Sequence, residues 1–120
     1  MNEKVLIIDD DKELSGEMAE ILETEGYSVQ AAFDGEQGEH FIRKSRYDII
    51  LMDFKLPDIT GVDLFKKVKK LCSSSKVFFV SGRPFLEKLI KEEGLSKMVS
   101  GCLTKPFDVK KFLERIKIPR

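Results

Sequence analysis

Only two of the 120 residues are cysteine, Cys72 and Cys102, and neither sits in a metal-ligand spacing or a disulfide framework. The single histidine, His40, falls on a weakly patterned helix away from the other chemistry-bearing residues and is read as solvent-facing. No apolar run exceeds a few residues, which leaves nothing long enough to span a membrane. No block of Lys and Arg carries the interleaved aromatics of a nucleic-acid surface, so no direct nucleic-acid partner is expected. Internal repeats, linkers and low-complexity tracts are missing as well. Asn2, Glu3 and Lys4 lead straight into a strand-like segment, leaving no room for a signal peptide. A cytoplasmic location is expected.

A chain of this length suits one domain, residues 1–120, able to build a core without metal or disulfide staples. Its 42% hydrophobic and 35% charged residues are ordinary for a globular protein. The formal net charge is zero but unevenly spread. Residues 1–60 hold 6 Lys and Arg against 15 Asp and Glu, a local net of −9, and residues 61–120 hold 15 against 6, or +9. An acidic half suits a cation or a basic partner, although folding the two halves together neutralises them equally well.

Lys4–Ile8 is a β-branched run read as the first strand, and it stops at Asp9, Asp10 and Asp11. From Asp11 to about Glu25, the apolar residues Leu14, Met18, Ile21 and Leu22 share one helical face, and Gly26 ends the helix. Tyr27–Phe33 reads as the second strand, Asp34-Gly35 as a turn, and Glu36 to Lys44 as a weaker helix. Ile49–Met52 is a third, fully apolar strand ending on Asp53, after which Pro57 and Gly61 shape a turn. Val62–Leu71 is helical, with Leu64, Phe65, Val68 and Leu71 inward. Val77–Val80 is the fourth strand, followed by Ser81-Gly82. Pro84 opens the next helix, with Leu86, Leu89 and Ile90 inward. A short fifth strand near Val99–Leu103 precedes Thr104-Lys105-Pro106-Phe107, and Val109, Phe112, Leu113 and Ile116 stripe the last helix. Strands alternating with helices, apolar rather than alternating in pattern, argue for a doubly wound parallel sheet covered on both faces.

The residues able to do chemistry all follow strand ends. Asp9 and Asp10 follow the first strand, Asp53 ends the third, Ser81 follows the fourth and Lys105 the fifth. In a parallel sheet those ends share one edge. Taken singly, each has an ordinary reading: Asp11 as a helix cap, Ser81 as a turn residue, Lys105 as a surface lysine. Together, crowded carboxylates call for a cation. Oxygen ligands without His or Cys favour a hard ion, Mg²⁺ above all, with Mn²⁺ as its substitute. A lysine and a hydroxyl beside such a metal suit a phosphoryl group. Phe78, Phe79, Phe107 and Phe112 read as core, and so does Cys72.

Four segments carry a resemblance: IIDDD at Ile7–Asp11, DFKLPDITG at Asp53–Gly61, VSG at Val80–Gly82 and TKPF at Thr104–Phe107. In this order and spacing they resemble the response-regulator receiver family over essentially the whole chain. The resemblance implies a flavodoxin-like sheet of five parallel strands in the order 2-1-3-4-5, for which the handling of ligands at strand ends is the general rule. It implies that Asp53 accepts a phosphoryl group from a histidine kinase or a histidine phosphotransfer protein. Asp10, Asp53 and the backbone carbonyl of Lys55 would bind Mg²⁺, Asp9 would act through water, and Lys105 would pair with the phosphoryl group. Ser81 would move toward that group as the switch, and the Lys105–Pro106 bond is expected to be cis. The output is a changed protein-binding surface, with a homodimer through the fourth helix, fifth strand and fifth helix as one form, and an effector that the sequence does not name.

Three positions depart from the family pattern. Cys102 stands three residues before Lys105, where many receivers carry an aromatic whose rotamer follows the switch hydroxyl. Switching is therefore expected to rely more on residues 81–85 and the fourth helix. Lys55 and Arg83, two residues after Asp53 and Ser81 respectively, either cover the phosphoryl group and slow its hydrolysis, which is the expectation, or point into solvent. The rival classes are a metal-dependent phosphohydrolase with an aspartate nucleophile and a degenerate receiver that binds partners without phosphate. Adjacent Asp9 and Asp10 and the lack of cap sequence disfavour the first, and the filled acidic and lysine positions the second. The chain ends soon after its fifth helix, either as a stand-alone regulator or as part of a longer one.

Overall fold

In the computed structural model, which describes residues 3–72, 74–82, 86–92, 94, 98–105 and 109–117, strands and helices alternate along the chain. The order is β1 (Lys4–Ile8), α1 (Lys12–Thr24), β2 (Ser28–Ala32), α2 (Gly35–Lys44), β3 (Ile49–Asp53), α3 (Gly61–Leu71), β4 (Lys76–Ser81), α4 (Leu86–Glu92), β5 (Gly101–Thr104) and α5 (Val109–Lys117). The strands form one parallel sheet in the order β2-β1-β3-β4-β5. Expectations for Arg83, Pro84, Phe85, Pro106, Phe107 and Pro119, and for the side chains of Leu86, Leu89, Val109 and Ile116, lie outside what is described.

The inner positions of β1, β3 and β4 are apolar because both faces of the sheet are covered there, whereas the edge strand β2, with Ser28 and Gln30 exposed, departs from that pattern. Alternate residues feed two separate cores. Val5, Ile7, Ile49, Leu51, Phe78, Val80 and Leu103 pack with Met18 and Leu22 of α1 and Phe112 and Leu113 of α5. Leu6, Ile8, Ile50, Met52, Val77 and Phe79 pack with Ile42 of α2, Leu64, Phe65 and Val68 of α3, and Ile90 of α4. Phe78 and Phe79 are thus both core, on opposite faces. Truncating a fully buried side chain such as Phe65 to Ala is worth roughly 3–5 kcal/mol.

Two expected inward residues stay exposed, Ile21 at 38% and Leu71 at 42%. Ile21 lies just outside the arc of Ser15, Met18 and Leu22, whereas Leu71 points almost the same way as buried Leu64, seven residues earlier, but stands at the last position of α3. Asp34-Gly35 is a helix start rather than a free turn: Asp34 caps α2 by accepting from the Gln37 N–H at 2.7 Å. Asp11 caps α1 and Thr60 caps α3 in the same way. Gly26, with φ of 96°, ends α1 in the left-handed conformation that glycine tolerates. Ser81 is the last residue of β4, in register with Thr104, rather than the residue after it.

Candidate functional site

The carboxyl ends of β1, β3, β4 and β5 share one edge, and the expected side chains meet there. Asp9 is the first residue after β1 and is buried, its backbone N–H tied to the Ala32 carbonyl at 3.0 Å. One of its oxygens, Oδ1, accepts the Asp11 N–H at 2.9 Å, which turns the chain into α1 and leaves Asp10 exposed at the rim. Asp53 ends β3 and is buried, with Oδ1 accepting the Lys55 N–H at 3.1 Å. The Lys105 backbone N–H donates to the Ser81 carbonyl at 2.7 Å, joining the ends of β4 and β5. Its ammonium then stands 3.0 Å from Asp9 Oδ2 and 3.3 Å from Asp53 Oδ2.

Carboxylate oxygens of Asp9, Asp10 and Asp53 lie within 4.8 Å of one another. Burial pushes the Asp53 carboxyl above its usual range, and the Asp9 charge adds to this; the Lys55 N–H and the Lys105 charge pull the other way. Burial alone would lower the Lys105 ammonium, but its bond to Asp9 and the charges of both acids hold it above its ordinary value. An all-oxygen donor set of this charge, one member exposed and two buried, fits a hard divalent cation such as Mg²⁺. A cleft of about 470 Å³ opens over these groups, lined by Asp10, Asp53, Lys55, Leu56, Pro57, Ser81, Gly82 and Lys105. A groove of about 500 Å³ between α1 and α5 is marginally larger, but it lies away from the strand ends and is lined mainly by apolar atoms.

Asp9, Asp10, Asp53, Ser81 and Lys105 are therefore brought together, with Lys55 exposed at the rim. His40 is exposed on α2. Cys102 is half-buried on β5 against the core that contains Phe79. One residue at the site's margin has no forewarning in its spacing. Asp58 reaches from the loop after β3 to the start of α2, where Oδ1 accepts the Gly35 N–H at 2.8 Å and Oδ2 the Glu36 N–H at 2.9 Å. An Asp in the turn after Pro57 was its only signal in the sequence.

The family model for the response regulator receiver domain matches residues 5–117. The transcriptional regulatory protein DltR of Streptococcus agalactiae (strain NEM316) is 30% identical over 115 residues, 96% of this chain and 50% of that protein. The sporulation initiation phosphotransferase F of Bacillus subtilis is 28% identical over 117 residues, 98% of this chain and 93% of that protein. Among solved structures, a CheY-like receiver domain protein from Methanospirillum hungatei superposes with a TM-score of 0.88 at 32% identity, covering 98% of this chain and 92% of that one. The chain spans about half the length of relatives such as DltR. Among the described residues, no helix is long and apolar enough to cross a membrane. Sequence, sheet order and family match agree that this chain belongs to the response-regulator receiver family of two-component signalling.

Proposed function

We propose that Asp53 is the phosphoacceptor of a Mg²⁺-dependent phosphoryl transfer from a histidine kinase or histidine phosphotransfer protein. The observation that carries this is the Lys105 ammonium, 3.3 Å from Asp53 and 3.0 Å from Asp9 at the mouth of a cleft. A carboxylate oxygen of Asp53 attacks the phosphorus of the phosphohistidine, and the histidine nitrogen leaves with the P–N bonding pair. Burial strips water from that carboxylate, and the Lys55 N–H on Oδ1 orients it. Lys105 releases its hold on the acids and neutralises phosphoryl oxygens as they arrive. Ser81 donates its hydroxyl to one of those oxygens and draws the end of β4 with it.

Asp10, Asp53 and the Lys55 carbonyl would hold the Mg²⁺, and Asp9 would act through water. When bound, the ion supplies positive charge to the transferring phosphoryl group. Lys55 and Arg83 shield the acyl phosphate from water, Arg83 lying outside the described residues. The protein is a signalling switch in the cytoplasm rather than a turnover enzyme, and its output is a changed protein-binding surface.

Incubation with a small phosphodonor such as phosphoramidate, with intact-mass detection, tests the reading. A single acyl phosphate that needs both Mg²⁺ and Asp53 is expected. Release of many equivalents of phosphate would instead identify a hydrolase, and no modification at all would identify a phosphate-independent binding module.

A further inference from the structure

The loop from Phe54 to Thr60 carries the Lys55 carbonyl and is fastened at three places. At its start, the Phe54 N–H donates to the Val80 carbonyl at 2.9 Å, and the Lys55 N–H donates to Asp53. At its base, the Gly61 N–H donates to the Phe54 carbonyl at 2.9 Å, and Lys55 and Thr60 pair as an antiparallel bridge. A Cβ on Gly61 would stand 2.7 Å from that same carbonyl oxygen, so only glycine lets the strand end and α3 approach so closely.

The third fastening is at the tip, and it runs to a different element. The two Asp58 oxygens take the Gly35 and Glu36 N–H groups, two of the donors that the first turn of a helix leaves without partners. The positive end of the helix dipole favours a carboxylate there. Ile59 beside it packs onto Gly35 so tightly that a Cβ on Gly35 would collide with Ile59 Cγ2. Asp34 caps the same helix from within, through Gln37, so α2 does not need Asp58 for its first turn alone.

We propose that Asp58 is a positioning residue of the phosphoacceptor site, tying the tip of the Phe54–Thr60 loop to α2 so that the Lys55 backbone keeps its place beside Asp53. The inference rests on reading Asp10 and Asp53 as a Mg²⁺-dependent phosphoacceptor site. Groups that orient a metal ligand act on affinity without touching the metal. With its tip released, the loop keeps the fastenings at Phe54, the Lys55 N–H and Gly61 but loses the one that fixes residues 56–59, and the Lys55 carbonyl belongs to the peptide that joins the held end to that freed stretch.

The test compares Asp58→Ala, Asp58→Asn and Asp34→Ala in the full chain, by thermal unfolding and by calorimetric titration with MgCl₂. Both alanine variants remove a cap from α2, so both are expected to lower the melting temperature. Only Asp58→Ala is expected to weaken Mg²⁺ binding, on the order of tenfold. Asp34→Ala is expected to stay within about twofold of wild type. Asp58→Asn, whose amide oxygen still accepts one of the two bonds, is expected to recover most of the loss. Equal Mg²⁺ affinity in Asp58→Ala and Asp34→Ala overturns the proposal. If Asp58→Ala does not fold, Asp58→Ser, whose hydroxyl reaches at most one of the two N–H groups, takes its place under the same criterion. Mg²⁺ binding that survives Asp10→Asn at the wild-type affinity would overturn the underlying reading instead, and the proposal with it.

Discussion

The ammonium of Lys105 lies closer to Asp9 than to Asp53, 3.0 Å against 3.3 Å, so one cation from the end of β5 compensates two buried carboxylates from two other strands. Removing it leaves both acids without a counter-charge. Lys105→Met is expected to lower stability at neutral pH by roughly 2 kcal/mol, less than for a fully buried pair because the lysine side chain is 25% exposed. Added Mg²⁺ is expected to restore part of that loss through the same carboxylates. Urea unfolding with and without MgCl₂ measures both effects, and a stability unchanged by the substitution would show that water already screens the pair.

The Asp53 carboxyl titrates above its ordinary value because burial disfavours its charge, with the Asp9 charge adding to the effect. A group whose folded pKa exceeds its unfolded pKa holds its proton more tightly in the folded state. Its contribution to stability is therefore fully present below the unfolded value, near pH 4, and is lost as pH rises through the folded one. At neutral pH the charged Asp53 is a standing cost. Asp53→Asn is expected to raise stability at pH 7 by on the order of 1 kcal/mol, or roughly 4 °C in melting temperature. The gain should shrink toward pH 4. Scanning calorimetry of both proteins at pH 4 and pH 7 checks it, and a gain that grew with acidity would reverse the sign of the assignment.

Ser15 is 1% exposed on the inner face of α1, and its hydroxyl has no hydrogen-bond partner among the described residues. A buried, unbonded hydroxyl costs about 1–3 kcal/mol of desolvation, and Ala is the better helix former. Ser15→Ala is expected to stabilise the fold by up to about 1 kcal/mol, read from the urea midpoint at unchanged slope. Destabilisation would mean that the hydroxyl has a partner such as an ordered water.

Much of this was written into the chain at the level of strands. Runs such as Ile49–Met52 are apolar on both faces, which only a covered parallel sheet explains, and each ends at a residue able to do chemistry. Once the strands are parallel, convergence of Asp9, Asp53 and Lys105 at one edge follows from topology. What periodicity did not resolve was where each buried face stops: Ile21 satisfies the helical spacing yet falls on the flank of its arc, and Leu71 keeps the direction of buried Leu64 but stands at the last position of α3. The Asp58 tie was also hidden. It joins residues 22 and 23 apart in sequence through backbone N–H groups, which every residue type but proline offers and which leave no pattern to find.

Lys55 is exposed at the rim of the cleft that holds Asp53. If its side chain folds over the acyl phosphate, its charge and bulk keep water from the phosphorus. Lys55→Ala is then expected to shorten the acyl-phosphate lifetime about threefold, the size of effect that one exposed charge exerts. The decay of phosphorylated protein, followed by intact mass after removal of the phosphodonor, gives the lifetime. A variant that decays at the wild-type rate would place the lysine in solvent.

Cys102 and Phe79 are register partners across β5 and β4, so their side chains share one face of the sheet. That face is already aromatic: the Phe79 ring meets the Phe54 ring edge-on at 5.6 Å and the Phe65 ring at 5.5 Å. Phe54 directly follows Asp53, and Phe79 stands two residues before Ser81 on β4. The small thiol at position 102 packs against this cluster without the volume to sweep between two rotamers. Switching in this chain is therefore expected to run through Ser81 and α4 rather than through position 102. Cys102→Tyr supplies the missing ring at a half-buried site, at a cost to stability of roughly 1–3 kcal/mol. The variant is expected to gain a phosphorylation-dependent change in tyrosine ring resonances, and a shift of the α4 amide resonances beyond that of wild type. If the new ring is silent and the α4 resonances match wild type in both states, position 102 carries no latent switch, and the cysteine is only a small residue beside a filled aromatic face.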